Sequence, residues 1–196
     1  MVRLSYAFYY AELTVHLGQG LSQESHFYFE LLCKSLRDLC DLEKDPVYLC
    51  LVFQLALLQM LGLKPELDSC VSFRTRLGEY NLSLFEHDLG GVICNSCFSA
   101  QTVSAKNKKG SLNLAEAENR VYDETSSDDA ICSYFTYLTP LVWKNLISAI
   151  CSPEQMPLYT GSVDSKEKSL IATRNLLETY LEHRIGKKMN SLSLIS

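Results

Sequence analysis

Three cysteines with the spacing of metal ligands are the sharpest chemical signal in the sequence. Cys94 and Cys97 form a Cys-x-x-Cys pair, and Cys70 precedes them in a separate turn-like stretch. Zinc ribbons hold their ion with two such pairs, so that four thiolates meet it at about 2.3 Å. Here Phe73 stands at the position of the fourth cysteine. The pattern therefore predicts a zinc-ribbon-like insertion with one ligand missing.

Two interpretations of the incomplete site remain open, with either one zinc ion or none. If zinc binds, its fourth ligand must come from a nearby residue of suitable chemistry. The candidates are His87, Asp68 and Asp88. If no metal binds, the ring of Phe73 fills the vacant position and the turns are held together by packing. We favour the metal-free interpretation, because structural zinc sites normally have four protein ligands.

Signals for catalysis are weak in this sequence. A nucleophilic cysteine or serine needs a base within reach, and the histidines lie in no recognisable catalytic motif. They are His16, His26, His87 and His183. The glycine-rich loops that bind nucleotide phosphates are also absent from the sequence. We therefore expect no enzymatic activity, and a cysteine-dependent enzyme remains a third alternative that requires a thiol of lowered pKa at Cys94 or Cys97.

Basic side chains are concentrated in three short stretches, although the net charge of −5 argues against binding of nucleic acid by overall charge. The candidate DNA- or partner-binding residues are Arg74, Arg76, Lys106, Lys108, Lys109, Arg184, Lys187 and Lys188. Each stretch alone is typical of a solvated surface. If the fold brought two of them together, they would form a strip able to contact phosphates. A stand-alone zinc-ribbon module that binds DNA or acts as an adaptor would use Arg74 and Arg76.

The elements that must position these residues are mainly helical. Apolar residues at helical spacing predict a first helix over residues 2–17, a second capped by Ser22 or Ser25, and a third over roughly 46–61. Asp45-Pro46 and Thr139-Pro140 each pair a capping side chain with a proline at the first helical position. Before the last helix, Asp164-Ser-Lys-Glu167 resembles a capping box.

A change of period interrupts the helices. Alternating residues from Tyr80 to Phe85, followed by turn residues and Val92-Ile93, predict a short β-hairpin. With 196 residues, of which 47% are hydrophobic, the chain is long enough for one buried core. We predict a mainly α fold, a helical bundle with a small zinc-ribbon-like β-hairpin insertion. Residues 1–196 form a single domain in this prediction, with the insertion at 70–99 and a mobile polar loop at 100–129.

The chain has eight cysteines but no early apolar run that resembles a signal peptide, which favours a reducing compartment. Cysteines outside the candidate site are then expected to be small buried hydrophobic residues. They are Cys33, Cys40, Cys50, Cys132 and Cys151. The apolar segment from Val47 to Leu63 is at the short limit for a membrane span, and it is better explained as a core helix.

Three motifs together resemble the C-terminal part of the RecO family of bacterial recombination mediators. In chain order they are Leu-Gly-Leu-Lys-Pro-Glu-Leu-Asp-Ser-Cys over residues 61–70, Gly-Gly-Val-Ile-Cys-Asn-Ser-Cys over 90–97 and Tyr-Leu-Glu-His-Arg-Ile-Gly-Lys-Lys over 180–188. With the two leading helices, the resemblance covers nearly the whole chain. Each motif alone is weak, whereas the three in this order are fairly specific.

The resemblance implies a helical domain with a zinc-ribbon-like insertion. Members of the family generally carry an N-terminal DNA-binding OB-fold, which we do not expect in this sequence, either because the chain is a fragment or because the barrel has been lost. It implies a non-enzymatic role in DNA repair and homologous recombination, in which the protein helps RecA loading and single-strand annealing with RecR and single-strand-binding protein. In this family the helical domain also accepts the acidic, apolar tail of single-strand-binding protein, which needs a hydrophobic pocket edged by Lys or Arg.

The implied partners are thus that tail, RecR, RecA and DNA, with no membrane. The implied location is the bacterial cytoplasm with its nucleoid, or the plastid stroma of a eukaryote. Phe73 departs from the family's four-cysteine pattern. Some members of the family lack the metal altogether, so the fold is expected to tolerate this change.

Overall fold

The computed structural model describes residues 2–18, 25–100, 135–155, 162–186 and 188–189. The elements in chain order are α1 (Val2–Gly18), α2 (Ser25–Leu39), α3 (Pro46–Met60), β1 (Leu82–Glu86), β2 (Gly91–Cys94), α4 (described over 95–100), β3 (Phe135–Tyr137), α5 (Pro140–Cys151) and α6 (Val163–Ile185). The mainly helical fold and its β-hairpin are confirmed. The polar loop predicted at 100–129 lies, except for residue 100, outside the described residues. Within the described ranges, no helix is both long and apolar enough to cross a membrane.

Helix α3 lies at the centre of the bundle, in contact with α1, α2, α5 and α6. Its start is set locally, because the side chain of Asp45 accepts hydrogen bonds from the backbone N–H groups of Val47 (2.9 Å) and Tyr48 (3.4 Å). Apolar side chains on every face suit a helix that is surrounded by others. The one buried amide on it, Gln54, donates from Nε2 to the hydroxyl oxygen of Tyr9 at 2.8 Å.

The aromatic cluster of α1 is part of the hydrophobic core. Tyr6, Tyr9 and Tyr10 are buried, and the ring of Tyr10 stacks on that of Phe53 with a centroid distance of 4.1 Å. Such a pair contributes packing energy beyond its buried area. The cluster therefore joins α1 to the central helix.

Arg3 closes the connection between α2 and α3. Its guanidinium donates to the carbonyl oxygens of Leu39 (2.8 Å), Asp41 (2.8 Å), Leu42 (3.2 Å) and Lys44 (2.6 Å). Carbonyls at the end of a helix have no partner within the helix, and a cation near them is favourable. One side chain of α1 thus caps the end of α2.

The β-sheet has three antiparallel strands in the order β2-β1-β3. Gly90, with φ of 68°, forms part of the tight turn of the predicted hairpin between β1 and β2. The third strand, β3, was missed by the sequence reasoning. It is only three residues long, and Phe135 and Tyr137 on it are exposed.

The ribbon segment, which we define as residues 63–97, is fixed to the helical bundle by side chains of α5 and α6. The indole N–H of Trp143 donates to the carbonyl oxygen of Leu67 at 3.0 Å, and the hydroxyl of Tyr180 donates to that of Leu63 at 3.0 Å. Both donors are amphipathic aromatic side chains whose polar end finds a partner at the edge of the core. The ribbon segment therefore packs on the bundle at two separate points.

The start of α6 differs from the prediction. Ser162 is the N-cap, and its side chain accepts a hydrogen bond from the backbone N–H of Ser165 at 3.3 Å. The predicted capping box at 164–167 is therefore wrong, because these residues already belong to the helix. Asp164 instead pairs with Lys168 one turn later, at 2.8 Å.

The expectation that the other cysteines are buried is only partly right. Cys50 is buried, Cys33 is half-buried, and Cys40 and Cys151 are exposed. The two exposed thiols lie at helix ends, just after α2 and at the last residue of α5, where the buried face gives way to solvent. Cys132 lies outside the described residues.

Candidate functional site

The structure brings Cys70, Cys94 and Cys97 together in one buried cluster, called the thiol cluster below. Cys70 comes from the loop before the hairpin, Cys94 ends β2, and Cys97 lies in the first turn of α4. The sulfur of Cys97 is 3.2 Å from that of Cys94 and 3.5 Å from that of Cys70. All three sulfurs lie within 4.8 Å of one another. Residues from two distant stretches thus converge on one point.

The backbone around Cys70 is arranged to stabilise a negatively charged sulfur. Its Sγ accepts hydrogen bonds from the backbone N–H groups of Phe73, Cys94 and Ser72. Burial alone would raise the pKa of Cys70, but these donors outweigh it and bring that pKa down to about 7. Arg74 closes the turn with a positive φ of 57°, and its N–H donates to the carbonyl oxygen of Cys70 at 2.8 Å.

Cys97 and Cys70 differ in how readily their thiols lose a proton. Burial raises the pKa of Cys97 to about 12, and its hydrogen bonds to the sulfurs of Cys94 and Cys70 act in the same direction. One sulfur is therefore easily ionised while its neighbour keeps its proton. A positive ion placed between them would relieve this conflict, because thiolates are the form that binds metal.

The three cysteines can supply three of the four ligands of a zinc ion. Tetrahedral coordination at 2.3 Å places neighbouring sulfurs about 3.8 Å apart, close to the contacts of 3.2 and 3.5 Å in the thiol cluster. Cys70, Cys94 and Cys97 would hold the ion. Bound zinc would link the two turns of the ribbon segment through coordinate bonds and would act as a Lewis acid toward any ligand at its fourth coordination position.

Phe73 does not fill the fourth position, which corrects the sequence interpretation. The residue is 75% exposed, so its ring lies largely in solvent and is not packed among the buried sulfurs. Only the backbone of Phe73 contacts the cluster, because its N–H donates to the sulfur of Cys70. Packing of an aromatic ring therefore does not replace the missing ligand.

The three candidates for a fourth ligand lie elsewhere. His87 is buried and shares a hydrogen bond of 2.8 Å between its Nε2 and Oγ1 of Thr136. Asp88 lies 2.6 Å from Nε2 of His183, and Asp68 is exposed. Among the described residues, no further histidine, cysteine or carboxylate joins the thiol cluster at ligand distance. None of the three candidates is therefore placed to serve as the fourth ligand.

His87 belongs instead to the contact between the hairpin and α6. Its ring packs on those of Phe85 (5.2 Å between centroids) and Tyr180 (6.1 Å). Burial lowers the pKa of His87 to about 4, and the neighbouring His183 acts in the same direction. His87 is thus a neutral core residue at neutral pH.

Two of the predicted basic residues share one cavity of about 470 Å³ between the ribbon segment and α5. We call it the arginine cavity. Its lining includes Arg74, Arg76, Asp68, Leu77, Trp143 and Ile147. Arg74 is mostly exposed, and its Nη1 lies 3.6 Å from a carboxylate oxygen of Glu66. Since exposed pairs of this kind are weak, its guanidinium remains available to a ligand.

The remaining basic candidates are not part of this cavity. Arg184 donates from Nη1 to the carbonyl oxygen of Asp88 at 3.3 Å, and its guanidinium carbon lies 5.8 Å from the centre of the Tyr180 ring. Lys188 is exposed. Lys187 and the lysines of the polar stretch lie outside the described residues. The latter are Lys106, Lys108 and Lys109.

A second basic surface was missed by the sequence reasoning. Lys34 and Arg37 of α2 border an open cavity of about 720 Å³, together with Phe27, Leu31 and Met60. The sequence pattern places both residues on the solvated face of an amphipathic helix. The exposed ring of Phe27 beside them is the one signal for a surface that could bind an apolar group.

Comparison with known proteins identifies the relationship. The family described as "Recombination protein O C terminal" matches residues 1–128 of the chain. The chain belongs to the RecO C-terminal family. The resemblance inferred from the first two motifs is thereby confirmed, whereas the third motif, at 180–188, lies beyond the matched residues and stays a prediction.

Among curated relatives, the chain is similar to "DNA repair protein RecO" of Bacillus pumilus, with 35% identity over 95 residues, 48% of this chain and 35% of the relative. The protein of the same name from Bacillus subtilis is 33% identical over 94 residues, again 48% and 35%. That from Symbiobacterium thermophilum is 36% identical over 98 residues, or 50% and 38%. The chain therefore spans between a third and two fifths of these RecO relatives. No solved structure gives a significant match.

Proposed function

We propose that this RecO-family chain acts in DNA repair and homologous recombination as a non-enzymatic recombination mediator that binds the acidic, apolar tail of single-strand-binding protein. The observation that carries the proposal is the arginine cavity, where two guanidinium groups border an apolar floor. In the same proposal the chain works with RecR and RecA in the loading of RecA and in strand annealing, in the cytoplasm or the plastid stroma.

The arginine cavity has groups that suit both the acidic and the apolar residues of such a tail. Arg74 and Arg76 offer planar donor groups that can each bind a carboxylate through two hydrogen bonds. Leu77, Trp143 and Ile147 offer apolar surface for a hydrophobic side chain. A volume of about 470 Å³ lies within the usual range for pockets that hold small ligands or peptide anchors.

The charge of a different cavity makes it unsuitable for an acidic ligand. This cavity, about 380 Å³ between α2, α3 and α5, has an apolar floor as well. Its charged lining residues are Lys34, Lys44, Asp38, Glu43, Asp45 and Glu154. Two lysines stand against four acids, and Lys44 is held at 2.6 Å by Asp38. An acidic tail would meet repulsion there, so the arginine cavity is the better site.

The test is a titration by calorimetry with a synthetic peptide that has several acidic residues and an aromatic C-terminal residue. The double variant Arg74→Ala, Arg76→Ala should weaken binding by more than about tenfold, since loss of two charge-assisted contacts exceeds about 1.4 kcal/mol. A matched control, Lys34→Ala with Arg37→Ala, removes two positive charges from the other basic surface and should leave the affinity within about twofold.

Two results would contradict this site assignment. Absence of saturable binding by the unaltered chain would rule out the tail as a ligand. Equal losses in the two double variants would show that general positive charge, and not the arginine cavity, attracts the peptide. Raising the salt concentration should weaken the complex, because both arginines are exposed and their charge is screened.

Direct contact with single-stranded DNA is a second candidate function, favoured by exposed aromatic rings in the ribbon segment. Phe73 is 75% and Tyr80 98% exposed, and the exposed Arg74 follows Phe73 directly. Bases can stack on such rings while arginines contact phosphates. If DNA binds here, replacing Arg74 or Arg76 should lower the slope of log affinity against log salt by about one per residue. An unchanged slope would exclude this surface.

A further inference from the structure

The thiol cluster differs from a closed zinc site at one corner only. Position 73 is where a ribbon of four cysteines would have its last ligand, and it lies in the turn from Cys70 to Arg74, which Arg74 closes with a positive φ of 57°. In this turn the N–H groups of Ser72 and Phe73 are directed at the sulfur of Cys70. The turn therefore supplies backbone donors to the thiol cluster, but it has no ligand side chain at position 73.

The open corner lies close to the protein surface. The three sulfurs belong to buried residues, whereas Phe73, Asn95 and Ser96, which lie inside the two turns, are exposed. The ring of Phe73 extends into solvent and does not cover the corner. In the described part of the chain, only three ligand groups converge on the point. A fourth ligand would therefore come from outside this set of side chains.

We propose that Cys70, Cys94 and Cys97 hold a zinc ion whose fourth position is taken by an exchangeable external ligand, water or a small thiol. Three protein ligands with one open position are the arrangement of zinc sites that exchange ligands, whereas structural zinc sites are closed by four. Thiolates favour zinc and other soft ions over magnesium or calcium. The ion in this chain is thus accessible to added ligands and to chelators.

Cobalt substitution tests this arrangement, because Co²⁺ in a thiolate site absorbs visible light according to its ligands. The reduced full chain should bind one equivalent of Co²⁺, and addition of 2-mercaptoethanol should shift the visible bands. Phe73→Cys supplies the missing thiolate, and its bands should not respond to the added thiol. Zinc release to a chelator should be more than about tenfold slower from Phe73→Cys than from the unaltered chain, since even ligand-supporting residues change affinity by about that factor.

Two control variants isolate the site. Cys40→Ser removes an exposed cysteine that follows α2 and should bind Co²⁺ as the unaltered chain does. Cys97→Ser removes the sulfur that contacts both others and should abolish stoichiometric binding. Circular dichroism checks that each variant is folded, and the response of the unaltered chain to thiol is decisive even without the variants.

Three outcomes would overturn the proposal. If the unaltered chain fails to bind Co²⁺ or Zn²⁺ while Phe73→Cys binds it, three cysteines are not enough. If the bands of the unaltered chain ignore the added thiol, a fourth protein ligand closes the site. If Cys97→Ser still binds one equivalent, the metal lies elsewhere. None of these results bears on peptide binding at the arginine cavity, so the proposed function is tested separately.

Discussion

Replacing Arg3 by alanine should destabilise the protein by about 2–3 kcal/mol. The side chain lies on the first turn of α1, yet its four hydrogen bonds reach the carbonyl oxygen of the last residue of α2 and three carbonyl oxygens that follow this helix. Alanine keeps the helix propensity of the position and removes all four donors. The carbonyls after α2 then turn to water, and the link between the first helix and the α2–α3 connection is lost.

The magnitude follows from the contacts. Hydrogen bonds to a charged group contribute about 1.5–3 kcal/mol when buried and less when water can replace them. Of the four contacts of Arg3, one is partly buried and three are exposed. At about 0.5 kcal/mol each, with about 0.3–1 kcal/mol from the charge near the end of a helix, the sum is about 2–3 kcal/mol. Arg3→Lys keeps the charge but not the fork of donors, so about half of the loss is expected.

Urea unfolding followed by circular dichroism measures this effect. With a slope of about 2 kcal/mol per molar, the midpoint of Arg3→Ala should fall by about 1 M. The matched control is Arg37→Ala, which removes an exposed arginine from the last turn of α2. If Arg3→Ala unfolds within about 0.2 M of this control, the four contacts contribute nothing beyond ordinary surface charge and the reasoning is refuted.

Two further predictions concern the ribbon segment. Gly91→Ala should destabilise the protein by about 1–3 kcal/mol, because the added methyl group would lie 2.7 Å from the carbonyl oxygen of Glu66. The control in thermal unfolding is Gly78→Ala, whose added methyl group has no atom within 4 Å. Equal melting temperatures for the two variants would contradict this prediction. His87, with a pKa lowered from 6.5 to about 4, stays neutral in the folded protein while the unfolded chain takes up a proton, so stability falls as the pH drops from 6.5 to 4, by about 3 kcal/mol at most. Glu178 of α6 has the opposite effect on the total stability: burial raises its pKa to about 7, so the stability falls as the pH rises from 4.5 to 7. The measurement is therefore the difference between the unaltered chain and His87→Gln in urea at pH 7 and pH 4, and a pH-independent difference would disprove the role of His87.

Local chemistry explains which helices could be predicted from the sequence. Asp45-Pro46 and Thr139-Pro140 fix a helix start through a capping side chain and a restricted φ, and the structure starts α3 and α5 at these prolines. Ahead of α6, several capping side chains follow one another, so the local pattern favours Asp164 although the chain uses Ser162. Strand β3 could not be predicted, because a three-residue strand owes its existence to pairing with β1, which lies far away in the sequence.

The candidate site also has features that could be predicted from the sequence and features that could not. The spacing of Cys70, Cys94 and Cys97 was enough to predict that they converge, since each turn is a local structure and the hairpin brings the turns together. The direction of Phe73 was not predictable, because it depends on the backbone of the turn and not on the apolar character of the ring. The arginine cavity needs contact between the ribbon segment and α5, across the 76 positions between Leu67 and Trp143.

The position of Trp143 has a practical consequence. It is the only tryptophan in the chain, and it is half-buried with its indole N–H bound to the ribbon segment. Its emission wavelength therefore depends on whether that junction is closed, so the protein carries a built-in optical probe. Light absorbed by this one ring can report separation of the ribbon segment from the bundle without any attached dye. The signal can be read at low concentrations and during rapid mixing.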